Sequence, residues 1–135
     1  MLLNLTDISS EPLQSQIIRQ IRAKILGGEL SANETLPSIR VLANEQRVSV
    51  ITVQRAYEHL EREGLIHSRR GKGFFVSPID ENTKKEMAMQ RFIDKIEPIL
   101  RTALDEGVSA ADILSAIKSF LKSKKDKGAA HGKRI

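Results

Sequence analysis

The stretch Ser49-Val50-Ile51-Thr52-Val53-Gln54-Arg55-Ala56-Tyr57-Glu58-His59-Leu60-Glu61-Arg62-Glu63-Gly64 decides how this chain folds. Ser49 is a residue type that caps helix starts by accepting an otherwise unpaired N–H. Val53, Ala56, Tyr57 and Leu60 then recur at helical spacing and form one apolar face. Gly64 supplies the left-handed stop that ends many helices. The spacing predicts a helix over about 50–63. Upstream, Leu36-Pro37 breaks a loop and Ser38 caps a short helix through about Gln46, with Ile39, Leu42 and Ala43 facing inward. Before it, Leu13, Ile17, Ile21 and Ile25 place a stripe on a helix over about 11–26, with Ser10 as its cap, Pro12 in its first turn and Gly27-Gly28 as its stop. Downstream the period changes. Residues 65–69 and 74–76 are β-prone and flank Arg70-Gly71-Lys72-Gly73, a hairpin with a glycine-rich tip closed by Pro78. Three helices running into a hairpin give a mainly α fold with a small β-hairpin, an N-terminal winged helix-turn-helix over residues 1–78.

In that arrangement the third helix lies in the major groove of double-stranded DNA and turns its first side chains to base edges. Val53, Ala56 and Tyr57 are needed inside, which leaves Val50, Ile51, Gln54 and Arg55 pointing outward. Ser49 and Thr52 carry short hydroxyls suited to phosphates. Gln54 can pair with adenine through two hydrogen bonds, Arg55 can reach guanine or a phosphate, and Val50 or Ile51 can touch a thymine methyl. The hairpin tip carries Arg69, Arg70 and Lys72 around Gly71, a cationic turn whose backbone can approach a duplex closely. Arg40, one turn into the second helix, points to the same side. Each of these side chains would be equally at home on a solvated surface; their placement together is what favours DNA.

Bulk charge is a poorer guide. The chain has 135 residues, no cysteine and a net charge of +5. Seven of its basic residues lie between 118 and 135 against Asp126 alone, while residues 1–117 carry 15 basic and 16 acidic side chains. The basicity belongs to the tail. Without cysteine there is no disulfide framework, thiolate nucleophile or Cys-ligated zinc. Aromatics at 4% argue against a reader of single strands that works by stacking. No apolar run approaches the roughly 20 residues of a membrane span. The start of the chain lacks the basic and apolar regions of a secretion signal. A cytoplasmic location and no membrane partner are expected.

The remaining residues form a second, helical unit. Over about 83–104, Met89, Phe92, Ile93, Ile96, Ile99, Leu100, Ala103 and Leu104 cover a broad face, with Pro98 expected to kink the helix. Ser109 then caps a helix bearing Ile113, Leu114, Ile117, Phe120 and Leu121. A face this apolar must be covered, by its own head or by a second chain. Residues 123–135 lack periodicity and are expected as a disordered basic tail, either solubilising or adding non-specific affinity.

Three ordered motifs suggest a family. Residues 12–76 resemble the DNA-binding domain of GntR-type bacterial transcription regulators: 36–43 (Leu-Pro-Ser-Ile-Arg-Val-Leu-Ala) in the turn and second helix, 52–57 with 60–66 in the recognition helix and its exit, and 70–76 in the wing. The resemblance implies DNA contacts at Arg40, Ser49, Val50, Ile51, Thr52, Gln54, Arg70 and Gly71. Val50 stands where family members often carry a basic residue or proline, and Ala32-Asn33 where they usually have proline-glycine; Asn tolerates the left-handed turn. Only about 45 structured residues follow the wing, too few for a large effector domain, which resembles the small YtrA-like subfamily. That likeness implies a two-helix dimerisation hairpin over 79–122, with Met89, Phe92, Ile93, Ile96, Ile99, Leu100, Ala103, Ile113, Ile117 and Phe120 at the interface of a homodimer. It also implies a repressor of an inverted-repeat operator, often of a transporter operon.

An enzyme is not expected. His59, His67 and His131 are scattered, no metal or cofactor site has ligand spacing, and Gly71-Lys72-Gly73 is too short for a phosphate-binding loop. A small-molecule effector is left open, since no pocket follows from the residues. The alternative function is a winged helix kept for protein contacts. It would be expected to lose the polar recognition face and basic wing that Thr52, Gln54, Arg70 and Lys72 retain here. Double-stranded RNA is disfavoured because its major groove is too narrow for a helix.

Overall fold

A computed structural model describes the backbone of residues 1–130 and the side chains of residues 1–125. Its elements are α1 (Leu13–Leu26), α2 (Ile39–Gln46), α3 (Val50–Arg62), β1 (Ile66–Arg69), β2 (Gly73–Val76), α4 (Glu81–Asp105) and α5 (Ala110–Ala130). Two compact units divide the chain, Met1–Met89 and the residues from Gln90 onward.

In the first unit, α1 and α2 both pack on α3. Most of the predicted set forms the core: Ile17, Ile21 and Ile25 of α1, Leu42 and Ala43 of α2, and Val53, Ala56, Tyr57 and Leu60 of α3 are buried. Leu13 and Ile39 are only half-buried, and Ile18, Leu30, Leu36, Leu65, Ile66 and Val76 join the core. Ser38 Oγ accepts from the Val41 N–H at 3.1 Å and Ser49 Oγ from the Thr52 N–H at 3.1 Å, so both expected caps form. Ser10 is not a cap. The helix starts at Leu13 behind Pro12, with no side-chain capping bond, because proline biases the residue before it away from helical backbone. Gly64 follows α3 with φ 78°, in the left-handed region expected of it.

The hairpin pairs Ile66 with Val76 and Arg69 with Gly73 in antiparallel register, and Gly71 turns its tip with φ 74°. Its outer edge is not bare. Asn33 donates its N–H to the Val76 carbonyl at 2.7 Å, Val76 donates to Glu34 at 2.9 Å, and Leu36 donates to Phe74 at 2.9 Å. The loop before α2 thus lines β2. Asn33 makes the turn into this edge with φ 65°, as its tolerance of that conformation allows.

The N-terminal arm is also fixed, by glutamines whose amides mimic a strand neighbour. Gln16 Oε1 accepts from the Thr6 N–H at 2.9 Å while its Nε2 donates to the Thr6 carbonyl at 2.7 Å. Gln20 does the same for Asn4, at 2.7 and 2.8 Å. Leu3 is buried as a result, and Met1 and Leu5 pack against the core.

The unit boundary lies eleven residues beyond the expected division at 78. Ile79 and Met87 pack against the head core and Lys84 is buried, so the start of α4 belongs with the head. Asp80 begins α4 by accepting the Thr83 N–H at 2.7 Å, a bond that holds its carboxyl below the ordinary range. The helix runs through Pro98 to Asp105.

In the second unit, Ser109 Oγ accepts from the Asp112 N–H at 3.1 Å and starts α5. Among the described residues, α4 and α5 are not a helix pair that packs extensively. Their apolar side chains face outward instead, with Phe92 56%, Ile99 64%, Leu114 58% and Phe120 63% exposed. Ile96, Leu100, Ala103 and Ile113 are half-buried. Disorder was expected from residue 123, yet α5 continues through Ala130. Lysine and alanine are good helix formers, and extending a helix already nucleated costs little. The end of the expected tail, 131–135, lies outside the described residues. None of the helices is long and apolar enough to cross a membrane, among the described residues.

Candidate nucleic-acid interface

Burial of Val53, Ala56, Tyr57 and Leu60 fixes the rotation of α3 about its axis and thereby decides which side chains reach outward. Val50 and Ile51 at its first turn are 46% and 49% exposed, large apolar groups presented to solvent. Arg55 is exposed. Its guanidinium makes no ion pair or hydrogen bond among the described residues. Gln54 is half-buried, and its Nε2 donates to Glu58 Oε2 at 3.2 Å, one helical turn on. That bond steadies the amide and leaves its carbonyl oxygen as an acceptor. Ser49 Oγ lies 2.7 Å from Thr52 Oγ1, so two hydroxyls are joined at the helix entrance while Ser49 also caps it. Unpaired N–H groups at such an entrance favour an anion.

Tyr57 locks this helix to its surroundings. Its phenol donates to the Pro37 carbonyl at 2.7 Å, which ties α3 to the loop before α2. Its ring meets Phe74 of the wing edge-on, with centroids 5.0 Å apart. Burial pushes the phenol far above its ordinary range. Recognition helix, turn and wing therefore share one pin.

The wing divides its cations. Arg69 lies 4.6 Å over the Phe75 ring, and His67 stacks near the same ring at 5.9 Å. Such a cation–aromatic contact holds Arg69 along the strand. Arg70 and Lys72 flank Gly71 at the tip, exposed and without ion partners among the described residues. Arg40, exposed near the start of α2, lines an open hollow with Ala43, Asn44, Arg47, Val48 and Val50. The structure thus places Arg40 and the leading turn of α3 around one concavity. Arg47 also lines it, though sequence reasoning assigned it no role. Its signal was available only as an arginine in the turn between the second and third helices.

The two described histidines, His59 and His67, do not assemble, and His131 lies outside the described residues. His67 Nδ1 is 3.2 Å from Ser77 Oγ, and His59 Nε2 is 3.7 Å from Glu63. The described residues contain no group of three or more side chains able to hold a metal ion.

The profile of the gntR family of bacterial regulatory proteins matches residues 13–76. The chain is 33% identical over 112 residues to the HTH-type transcriptional repressor YtrA of Bacillus subtilis, covering 83% of this chain and 86% of that one. It is 31% identical to the HTH-type transcriptional regulator YhcF of the same organism, covering 83% of this chain and 92% of that one. Among solved structures, a GntR family transcriptional regulator from Listeria monocytogenes matches with a TM-score of 0.71 at 27% identity, over 82% of this chain and 96% of that one. YtrA from Sulfolobus acidocaldarius matches with a TM-score of 0.55 at 27% identity, over 90% and 97%. These likenesses extend past the wing into the C-terminal helices.

Proposed function

The chain belongs to the GntR family of bacterial regulatory proteins as a DNA-binding transcriptional regulator of the small YtrA-like kind, and from that premise we propose that it is a repressor that binds an inverted-repeat operator as a homodimer. The observation that carries the reading is the leading turn of α3. The core fixes the helix so that Val50, Ile51 and Arg55 are exposed and Gln54 is half-buried, and the cations Arg40, Arg70 and Lys72 have no ion partner among the described residues. Gln54 and Arg55 read base edges. Ser49, Thr52, Arg40 and the wing tip hold the duplex backbone, with Arg69 supporting the wing through Phe75. A two-fold dimer presents two such helices to half-sites about one helical turn apart. The second unit supplies the contact between copies through its outward apolar faces. A transporter operon is the kind of target that the subfamily likeness suggests.

Selecting bound duplexes from a random pool tests the reading directly. An enriched inverted repeat is the expected result, and an enriched single half-site would remove the dimeric part. Within that site, Gln54→Ala is expected to relax preference at one base pair per half-site and cost about 1–3 kcal/mol there. Equal loss on operator and random duplex would remove its base-reading role. Arg70→Ala is expected to weaken binding to most sequences and flatten the dependence of log K on log salt by about one unit per chain. An unchanged slope would take the wing tip off the phosphates.

A further inference from the structure

Only two non-glycine residues in the described chain have left-handed backbone, Asn33 and Arg47. Asn33 needs no explanation, because asparagine tolerates that region. Arg47 does. It ends α2 with φ 57° and ψ 46°, where its N–H closes the helix on the Ala43 and Asn44 carbonyls. That bond asks only for a backbone N–H, and glycine would provide it without the clash that a Cβ brings. The arginine side chain returns nothing to the folded chain. It is exposed, and it makes no ion pair, ring contact or hydrogen bond among the described residues. Strain kept without an internal return points to a use outside the chain.

Its position says what use. Arg47 shares an open hollow with Arg40, Asn44 and Val50, between the end of α2 and the first turn of α3. Two guanidinium groups with no partner among the described residues and a side-chain amide therefore surround a concavity at the edge of the recognition helix. The first outward residue of that helix, Val50, contributes no charge. Guanidinium groups bind phosphate oxygens through paired N–H donors, and their weak hydration favours such sites.

We propose that Arg47 contacts a backbone phosphate of bound DNA, acting with Arg40 across this hollow, and that its left-handed backbone is retained for the direction it gives the cation. The inference rests on the DNA-binding reading above but not on the operator. A phosphate contact is made to any sequence.

The test uses the full chain with two duplexes, one selected from a random pool and one of random sequence, each titrated across a salt series. Arg47→Gly and Arg47→Asn both suit left-handed backbone, so both variants should fold, with thermal midpoints at or above that of the parent. Both should lose about five- to tenfold in affinity near physiological salt, and the slope of log K against log salt should fall by about one per chain on either duplex. Arg47→Lys should restore most of the slope. Variants that keep the parent's affinity and slope would show a solvated cation and overturn the proposal. Selection that enriches no sequence would overturn the operator reading alone, because the slope on random duplex still decides Arg47. A parent chain that binds neither duplex would overturn both.

Discussion

Tyr57→Ala is expected to remove about 3–5 kcal/mol of folding stability, the usual cost of truncating a buried aromatic. Three losses coincide at this position. The side chain is fully buried, so its removal leaves a cavity in the core of the head. The Pro37 carbonyl loses the phenol that donates to it at 2.7 Å. Phe74 loses the ring it meets edge-on at 5.0 Å. Folded domains hold roughly 5–15 kcal/mol in reserve, so the variant head would be partly unfolded at growth temperature. Tyr57→Phe separates the contributions. It keeps the ring and the Phe74 contact but strands the carbonyl, at about 1–3 kcal/mol. Urea unfolding followed by helical circular dichroism measures both. A loss below about 1 kcal/mol for the alanine variant would show that Tyr57 does not pin the three elements together. The phenylalanine variant also reaches function. Without the bond to Pro37, α3 is less firmly held against the turn that precedes α2, and specific DNA affinity should fall more than the stability change alone requires.

Much of the head was legible because its signals are local. Ser38 and Ser49 cap within three residues of themselves, and Val53, Ala56, Tyr57 and Leu60 declare a buried face by their spacing. Asn33 and Gly64 mark left-handed positions by residue type alone. What escaped reading depends on partners distant in sequence. Gln16 and Gln20 hold an arm of irregular backbone ten or more residues away, and nothing in the period of α1 distinguishes them from solvated glutamines. Leu36 and Asn33 complete the wing edge through backbone bonds that no side chain announces. The boundary at Met89 was missed for a similar reason, since Met87 belongs to the head by packing and to α4 by period. At the candidate interface, residue type identified Gln54 and the wing cations. The strain at Arg47 is a backbone property, visible only once the turn has a conformation.

If copies pair through the outward faces of the second unit as proposed, Phe92→Asp should convert the chain from dimer to monomer. Phe92 is 56% exposed, so the substitution takes little from the fold of a single copy. In a two-fold interface the same residue is buried on both sides, and each change counts twice. An aromatic side chain buries on the order of 150–250 Å² in all; the exposed 56% of Phe92 leaves about 85–140 Å² for the contact, which at about 25 cal/mol per Å² is roughly 2–3.5 kcal/mol for each copy. Replacing it also brings a carboxylate into an apolar contact, at a further cost of several kcal/mol unless it finds a partner. Even after generous discounting for repacking, the dimer constant should weaken at least a hundredfold. Sedimentation at micromolar concentration would then report a monomer with unchanged helical content. Operator affinity should fall with it, since binding two half-sites through one dimer commonly gains 10²–10⁴ over a single head. The Arg70→Ala variant provides the contrast: it should lose phosphate contacts while still sedimenting as a dimer. A Phe92→Asp chain that remains dimeric would show that copies meet through another surface. A monomer that keeps full operator affinity would show that the two heads never bind together.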